Sequence, residues 1–152
     1  ERNARALGEF LRTRVRGGRI DLVGHSLGGL VSRAYLQLLG GARRVDRCIT
    51  LGTPHAGTYA AYWLDSRVAR ELRPGSDVLA RLEASRANAA RVEFLSLVAG
   101  ADTIVIPRVC AAHERVVHLP DLGHFGLLWS PRVFGLVRDA LALPAGAQQS
   151  AA

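Results

Sequence analysis

The apolar positions of this chain follow two alternating rhythms. Over residues 3–16, Ala4, Leu7, Phe10, Leu11 and Val15 recur at helical spacing, and Gly17-Gly18 stops the helix. Ile20 to Val23 is a short apolar run bounded by glycines, which predicts a strand. The helical period returns from Leu27 to Leu39, through Leu30, Val31, Ala34, Tyr35 and Leu38, and Gly40-Gly41 ends it. Further strands are predicted at Cys48–Leu51, Phe94–Val98 and Val116–Leu119. Pro131 to Leu143 reads as a closing helix with Pro131 in its first turn.

Strands alternating with helices imply parallel βαβ units, and short apolar strands suit a sheet buried on both faces. The fold class expected is therefore α/β, with a parallel sheet of about four strands flanked by helices. Residues 58–90 break the rhythm. They carry Tyr59, Tyr62 and Trp63, then Pro74-Gly75-Ser76, then a helical stretch Asp77–Ala90, with no strand pattern. This segment is expected to be a helical insertion, cap-like or lid-like, over the carboxyl ends of the strands. The chain then divides into one incomplete domain over 1–143 and a flexible tail over 144–152.

Composition narrows the classes. Apolar residues make up 49% and charged residues 22%, which is globular and sufficient for a core. No apolar run approaches the ~20 residues a membrane helix needs. The net charge is +7, and all 20 basic residues are Arg. They scatter from Arg2 to Arg138, so a solvated surface is expected rather than a nucleic-acid face. An Arg-rich polyanion binder stays as the last-ranked alternative. Cys48 and Cys110 make no disulfide framework, although a single bridge is open. Without Cys-x-x-Cys or paired His spacing, no metal site is expected. The chain starts at Glu1 and contains no Met, which reads as a processed product or a fragment.

The segment that carries chemistry is Gly24-His25-Ser26-Leu27-Gly28-Gly29. A Gly-x-Ser-x-Gly match alone is weak. A strand before it and a helix after it supply the context of a nucleophile elbow. Gly24 and Gly28 are expected to let the turn close and the strand and helix approach. Ser26 would project above the sheet, and the helix N-terminus behind it would offer N–H groups to a developing oxyanion.

Four segments together resemble the α/β-hydrolase superfamily, in particular bacterial lipases and esterases. They are Asp21–Val31 around the serine, Leu51-Gly52-Thr53-Pro54-His55-Ala56-Gly57, Gly100-Ala101-Asp102-Thr103-Ile104-Val105, and Gly123-His124-Phe125-Gly126-Leu127-Leu128. They stand in the family's order and span about two thirds of the chain. The resemblance implies a triad of Ser26, Asp102 and His124, with the Leu27 N–H as an oxyanion donor. Asp121 is the rival acid and His55 the rival base. His25 is read as structural and turned away, and His113 and His118 as exposed or packed. His55, Tyr59, Tyr62 and Trp63 are expected to line the substrate site, although the aromatics can equally pack the insertion down.

The implied activity is serine carboxylic-ester hydrolysis through an acyl-enzyme, on a small-molecule or lipid ester, with no cofactor. Acyl transfer, thioester or amide cleavage by the same triad, and a non-catalytic remnant acting as an interaction module, remain alternatives. The resemblance begins at the helix before the serine strand, so the loop that supplies the family's second oxyanion donor is not in this sequence. Losing one such donor costs about 3 kcal/mol of barrier, so weak or no activity is expected of these 152 residues alone. The first strand would become a sheet edge, which favours self-association. Compartment is left open, with secretion suggested by the family resemblance alone.

Overall fold

The structure is a computed structural model that describes residues 1–106 and 115–143. Cys110, His113 and the expected tail at 144–152 lie outside the described residues.

Chain order is α1 (Arg2–Arg14), β1 (Ile20–His25), α2 (Leu27–Leu38), β2 (Val45–Leu51), α3 (Arg67–Glu71), α4 (Asp77–Ala84), β3 (Glu93–Ala99), β4 (Arg115–Leu119) and α5 (Pro131–Ala142). The described strands form one sheet in the order β1-β2-β3-β4, parallel throughout. This is the α/β architecture read from the sequence, with each strand near its expected bounds.

Register decides which side chains face which layer. Leu22, Cys48 and Phe94 stand side by side across β1, β2 and β3, and all three pack with α1, α2 and α4. Strand alternation sends the next residues, Val23, Ile49 and Leu95, to the opposite face. There Ile49 and Leu95 pack with Leu119, Leu127 and the α5 residues Val133 and Ala140. Val23 itself is 48% exposed, because β1 is the sheet edge and α5 does not reach over it.

On the α5 face, polar residues line the amino ends of the strands. The Arg47 guanidinium lies between two carboxylates, 3.1 Å from Asp21 and 3.3 Å from Glu93. It also donates to the carbonyls of Leu141 and Leu143 at the end of α5. A cation there satisfies helix-end acceptors and opposes the negative end of the helix dipole. Asp21 is thus a structural pairing residue.

The segment over 58–90 begins at the carboxyl edge of the sheet. The Thr58 hydroxyl donates to the Ile104 carbonyl at 2.5 Å, tying the segment after β2 to the loop after β3. Serine caps then start both short helices. Ser66 Oγ accepts from Ala69 N–H, and Ser76 Oγ accepts from Leu79 N–H. The expected single helix over 77–90 stops at Ala84 instead. The Ser85 hydroxyl bonds back to the Arg81 carbonyl, and a tighter turn follows at Arg86–Ala89. Asn88 reaches the Gln37 carbonyl at the end of α2, which bends the segment onto that helix. Tertiary contact overrides the local helical period here.

Candidate active site

β1 ends in a sharp turn into α2, and Ser26 occupies it. Its φ is 53° and its ψ is −123°, and it is the one non-glycine residue at positive φ among the described residues. Such a conformation costs roughly 1–3 kcal/mol and persists only where its surroundings impose it. Here Ser26 N–H donates to the Leu51 carbonyl at 2.8 Å, and Gly29 N–H donates to the Ser26 carbonyl at 3.1 Å.

The glycines around Ser26 are not equivalent. A Cβ on Gly24 would lie 2.6 Å from Gly29 N and 2.7 Å from the Gly28 carbonyl carbon, both backbone atoms. A Cβ on Gly29 would lie 2.1 Å from the Thr53 hydroxyl oxygen. A Cβ on Gly28 would meet nothing within 4 Å. The close approach thus depends on Gly24 and Gly29. The sequence reading that paired Gly24 with Gly28 is corrected at Gly28.

Asp102 and His124 come from neighbouring strand ends. Gly100 N–H donates to the Leu119 carbonyl at 2.8 Å, and Ala101 N–H to the Leu122 carbonyl at 3.0 Å. These bonds stitch the segment after β3 to the segment after β4. Gly100 permits it, since a Cβ there would lie 2.5 Å from Pro120 Cα. Asp102 Oδ2 then stands 2.7 Å from His124 Nδ1, with both side chains buried. Asp102 Oδ1 accepts from the N–H groups of Ile104 and Val105, each at 2.8 Å. One carboxylate oxygen is thereby fixed by backbone, and the other is left for the imidazole.

The His124 ring sits over Gly52, the residue after β2. A Cβ on Gly52 would come within 3.3 Å of His124 Nδ1 and 2.9 Å of Leu127 Cδ1. Leu51 is the register partner of His25, so this places His124 beside the end of β1. His25, expected to turn away, does the opposite. Its Nε2 lies 3.1 Å from the His124 carbonyl oxygen, and the two rings are 4.7 Å apart.

The other candidate residues separate into buried and exposed groups. His55 is buried, with Nε2 3.0 Å from the Thr50 hydroxyl and its carbonyl accepting from Arg33 at 3.1 Å. Burial pulls the Arg33 guanidinium below its ordinary value, against the opposing effect of Glu83. His55 therefore belongs to an interior polar network rather than to the surface beside His124. Asp121 is exposed and pairs with Arg132 at 3.6 Å, while Asp102 takes the imidazole. His118 is exposed on β4. Tyr59 and Tyr62 stack at 6.4 Å and are half exposed, with Arg73 over the Tyr62 ring. Trp63 is 89% exposed. A cavity of about 550 Å³ lies between the start of α1, α2 and the insertion. Leu27, Leu30, Val31, Leu72 and Leu82 line it, so it borders the turn but not Asp102 or His124. No helix among the described residues is long and apolar enough to cross a membrane.

Sequence reasoning missed Gly29, Gly52 and the His25 contact. The first two lie inside segments that carried the family resemblance, but only three-dimensional packing shows what their missing side chains accommodate.

Comparison with known proteins agrees with this architecture. The sequence model of a family described as palmitoyl protein thioesterase matches residues 6–91. Among solved structures, the propeptide form of the Bacillus licheniformis lipase BlEst2 superposes with a TM-score of 0.75 at 19% identity, covering 98% of this chain and 41% of that one. Its mature form gives 0.65 at 21% identity, covering 92% and 71%. Aspergillus fumigatus lipase B gives 0.74 at 18% identity, covering 96% and 42%. The chain thus carries part of an α/β-hydrolase fold of the lipase and esterase kind, and spans under half the length of two of these three neighbours.

Proposed function

The chain belongs to the palmitoyl protein thioesterase family, and on that premise we propose that it is a serine hydrolase using Ser26, His124 and Asp102. The substrate is an ester or thioester of an apolar acyl group. The observation that carries this reading is the buried Asp102–His124 pair at 2.7 Å.

The proposed chemistry uses that pair. His124 donates its Nδ1–H to Asp102, so the neutral ring holds its lone pair on Nε2. Nε2 takes the Ser26 proton as the hydroxyl oxygen attacks the acyl carbon. The Asp102 carboxylate holds this tautomer and stabilises the imidazolium that forms. The imidazolium returns the proton to the departing alcohol or thiol, which leaves an acyl-serine. Water, deprotonated by His124 in turn, then releases the acid.

Leu27 lies in the first turn of α2, where N–H groups lack helical partners, and its N–H is the proposed oxyanion donor. Tyr59, Tyr62 and Trp63 offer exposed rings to the acyl chain, and buried His55 supports the turn beneath rather than touching substrate.

Intact-mass labelling by a fluorophosphonate, over minutes to hours, tests the reading. A single adduct on the parent chain, absent in Ser26→Ala, supports it. A folded parent without adduct, or an adduct that survives in Ser26→Ala, overturns it. The thioester variant of the reading is favoured by the family match alone. Paired octanoyl ester and octanoyl thioester substrates separate the two leaving groups.

A further inference from the structure

We infer that His25, the residue before Ser26, is a positioning residue for His124. Only the relevance to turnover rests on the proposed triad; the placement of the ring does not.

Strand alternation sends Asp21, Val23 and His25 to the α5 face of β1. That is the face on which the segment after β4 packs, through Leu122 and Leu127. The His25 ring meets the His124 backbone there, with Nε2 at 3.1 Å from the carbonyl oxygen. A carbonyl only accepts, so Nε2 must carry a hydrogen. Both the Nε2–H neutral tautomer and the imidazolium meet that requirement. The bond joins the strand end that carries Ser26 to the residue that faces Asp102, across the whole width of the sheet from β1 to β4.

The contact acts on the ring as well as on the backbone. The His25 and His124 rings are tilted by 52° at 4.7 Å. Phe125 approaches the His124 ring edge-on at 5.3 Å, and Gly52 leaves room for it from the β2 side. His124 heads the short turn Phe125–Leu128, and its own side chain forms no cap there. Asp102 fixes one ring nitrogen, while His25 fixes the backbone from which the ring projects. Losing the His25 bond frees that backbone to shift relative to Ser26. A misplacement of about 1 Å can cost about 10²-fold in rate.

The test compares His25→Gln, His25→Phe and His25→Ala in the full 152-residue chain, with folding checked by circular dichroism. Gln places an amide N–H near the Nε2 position, and Phe keeps a ring without a donor. The first readout is the tautomer of His124, taken from long-range proton–nitrogen NMR correlations to its carbon-bound ring protons. This needs no turnover. The parent and His25→Gln are expected to show one Nδ1–H tautomer, and His25→Phe and His25→Ala a mixture. The second readout is the fluorophosphonate labelling rate, expected within about 3-fold of the parent for Gln and about 10- to 100-fold lower for Phe and Ala. An unchanged His124 signature in folded His25→Phe or His25→Ala overturns the inference. So does a mixed signature in His25→Gln, which also decides the matter if the other variants do not fold. A parent that takes no phosphonate counts against the proposed triad, while the ring spectra still decide the role of His25.

Discussion

The Gly-x-Ser-x-Gly pattern treats its two outer glycines alike, but the structure predicts opposite responses to alanine. At Gly24 the new Cβ would lie 2.6 Å from Gly29 N, 2.7 Å from Gly28 C and 2.8 Å from Gly28 O. All three are backbone atoms at the start of α2, so no rotamer change relieves the contact. The strand end and the helix must part. Overpacking of this kind costs about 1–3 kcal/mol, and the upper end is expected because the neighbours are rigid. At Gly28 the Cβ would meet nothing within 4 Å, and alanine improves helix propensity by up to about 1 kcal/mol. Urea unfolding at matched protein concentration is the assay. With a slope of about 1–3 kcal/mol per molar, Gly24→Ala lowers the midpoint by about 1 M or more. Gly28→Ala leaves it unchanged or raises it slightly. Equal losses in the two variants would refute the steric argument, as would a Gly24→Ala midpoint equal to that of the parent.

Three further predictions concern groups away from that turn. Asp102→Asn is expected to lower phosphonate labelling by about 10³- to 10⁴-fold by releasing the His124 tautomer, while the fold persists by circular dichroism; labelling within a factor of about ten of the parent would count against the Asp102 role. Arg47→Ala removes the cation between Asp21 and Glu93 and the donor to two carbonyls at the end of α5. The carboxylates retain some solvent, so the loss is expected near 2 kcal/mol, below the ~3–5 of fully buried pairs, and calorimetry should show a Tm lower by about 5 °C or more. Burial pushes the Cys48 thiol up to about 12 from 9.0. It is expected to resist iodoacetamide at pH 9 in native protein and to react in denaturant, as located by peptide mapping. A raised thiol favours the folded state fully below about pH 9, and that contribution is lost as pH climbs toward about 12.

The strands and main helices were legible because each is a run of one hydrophobic period closed by glycine or proline. Gly17-Gly18 and Gly40-Gly41 mark helix ends, and both pairs stand where the chain turns. The break at Ser85 was not legible, because it comes from Asn88 and Ser85 binding α2 residues far away in sequence. The serine turn was visible as a motif. Which glycine matters was not, since that depends on the distance to Thr53 and to the helix backbone. Asp102 and Asp121 are both acids beside a strand end, and sequence left them as rivals. Backbone bonds settle which one meets the imidazole, because Gly100 and Ala101 carry Asp102 across to the β4 side. The turn alone marked His25 as structural, and its contact with His124 was not legible because the segment after β4 delivers that residue opposite it.

Among the described residues, Ser26 hangs from a strand that has a neighbour on one side only, and this makes an uneven pattern of backbone protection. Ile20 N–H donates to Arg44 O, and Ser26 N–H donates to Leu51 O, so both face β2. Alternate residues of a parallel strand point their amides to opposite neighbours. Leu22 and Gly24 therefore face β2, while Asp21, Val23 and His25 direct their amides to the open edge. Hydrogen exchange measured amide by amide should show fast exchange at 21, 23 and 25 between slow positions at 22, 24 and 26. β3, with β2 and β4 on its two sides, should be protected without that alternation. If a second copy covers the edge, the fast amides gain protection as protein concentration rises. Uniform protection along β1 at every concentration would mean that the edge is not open in solution.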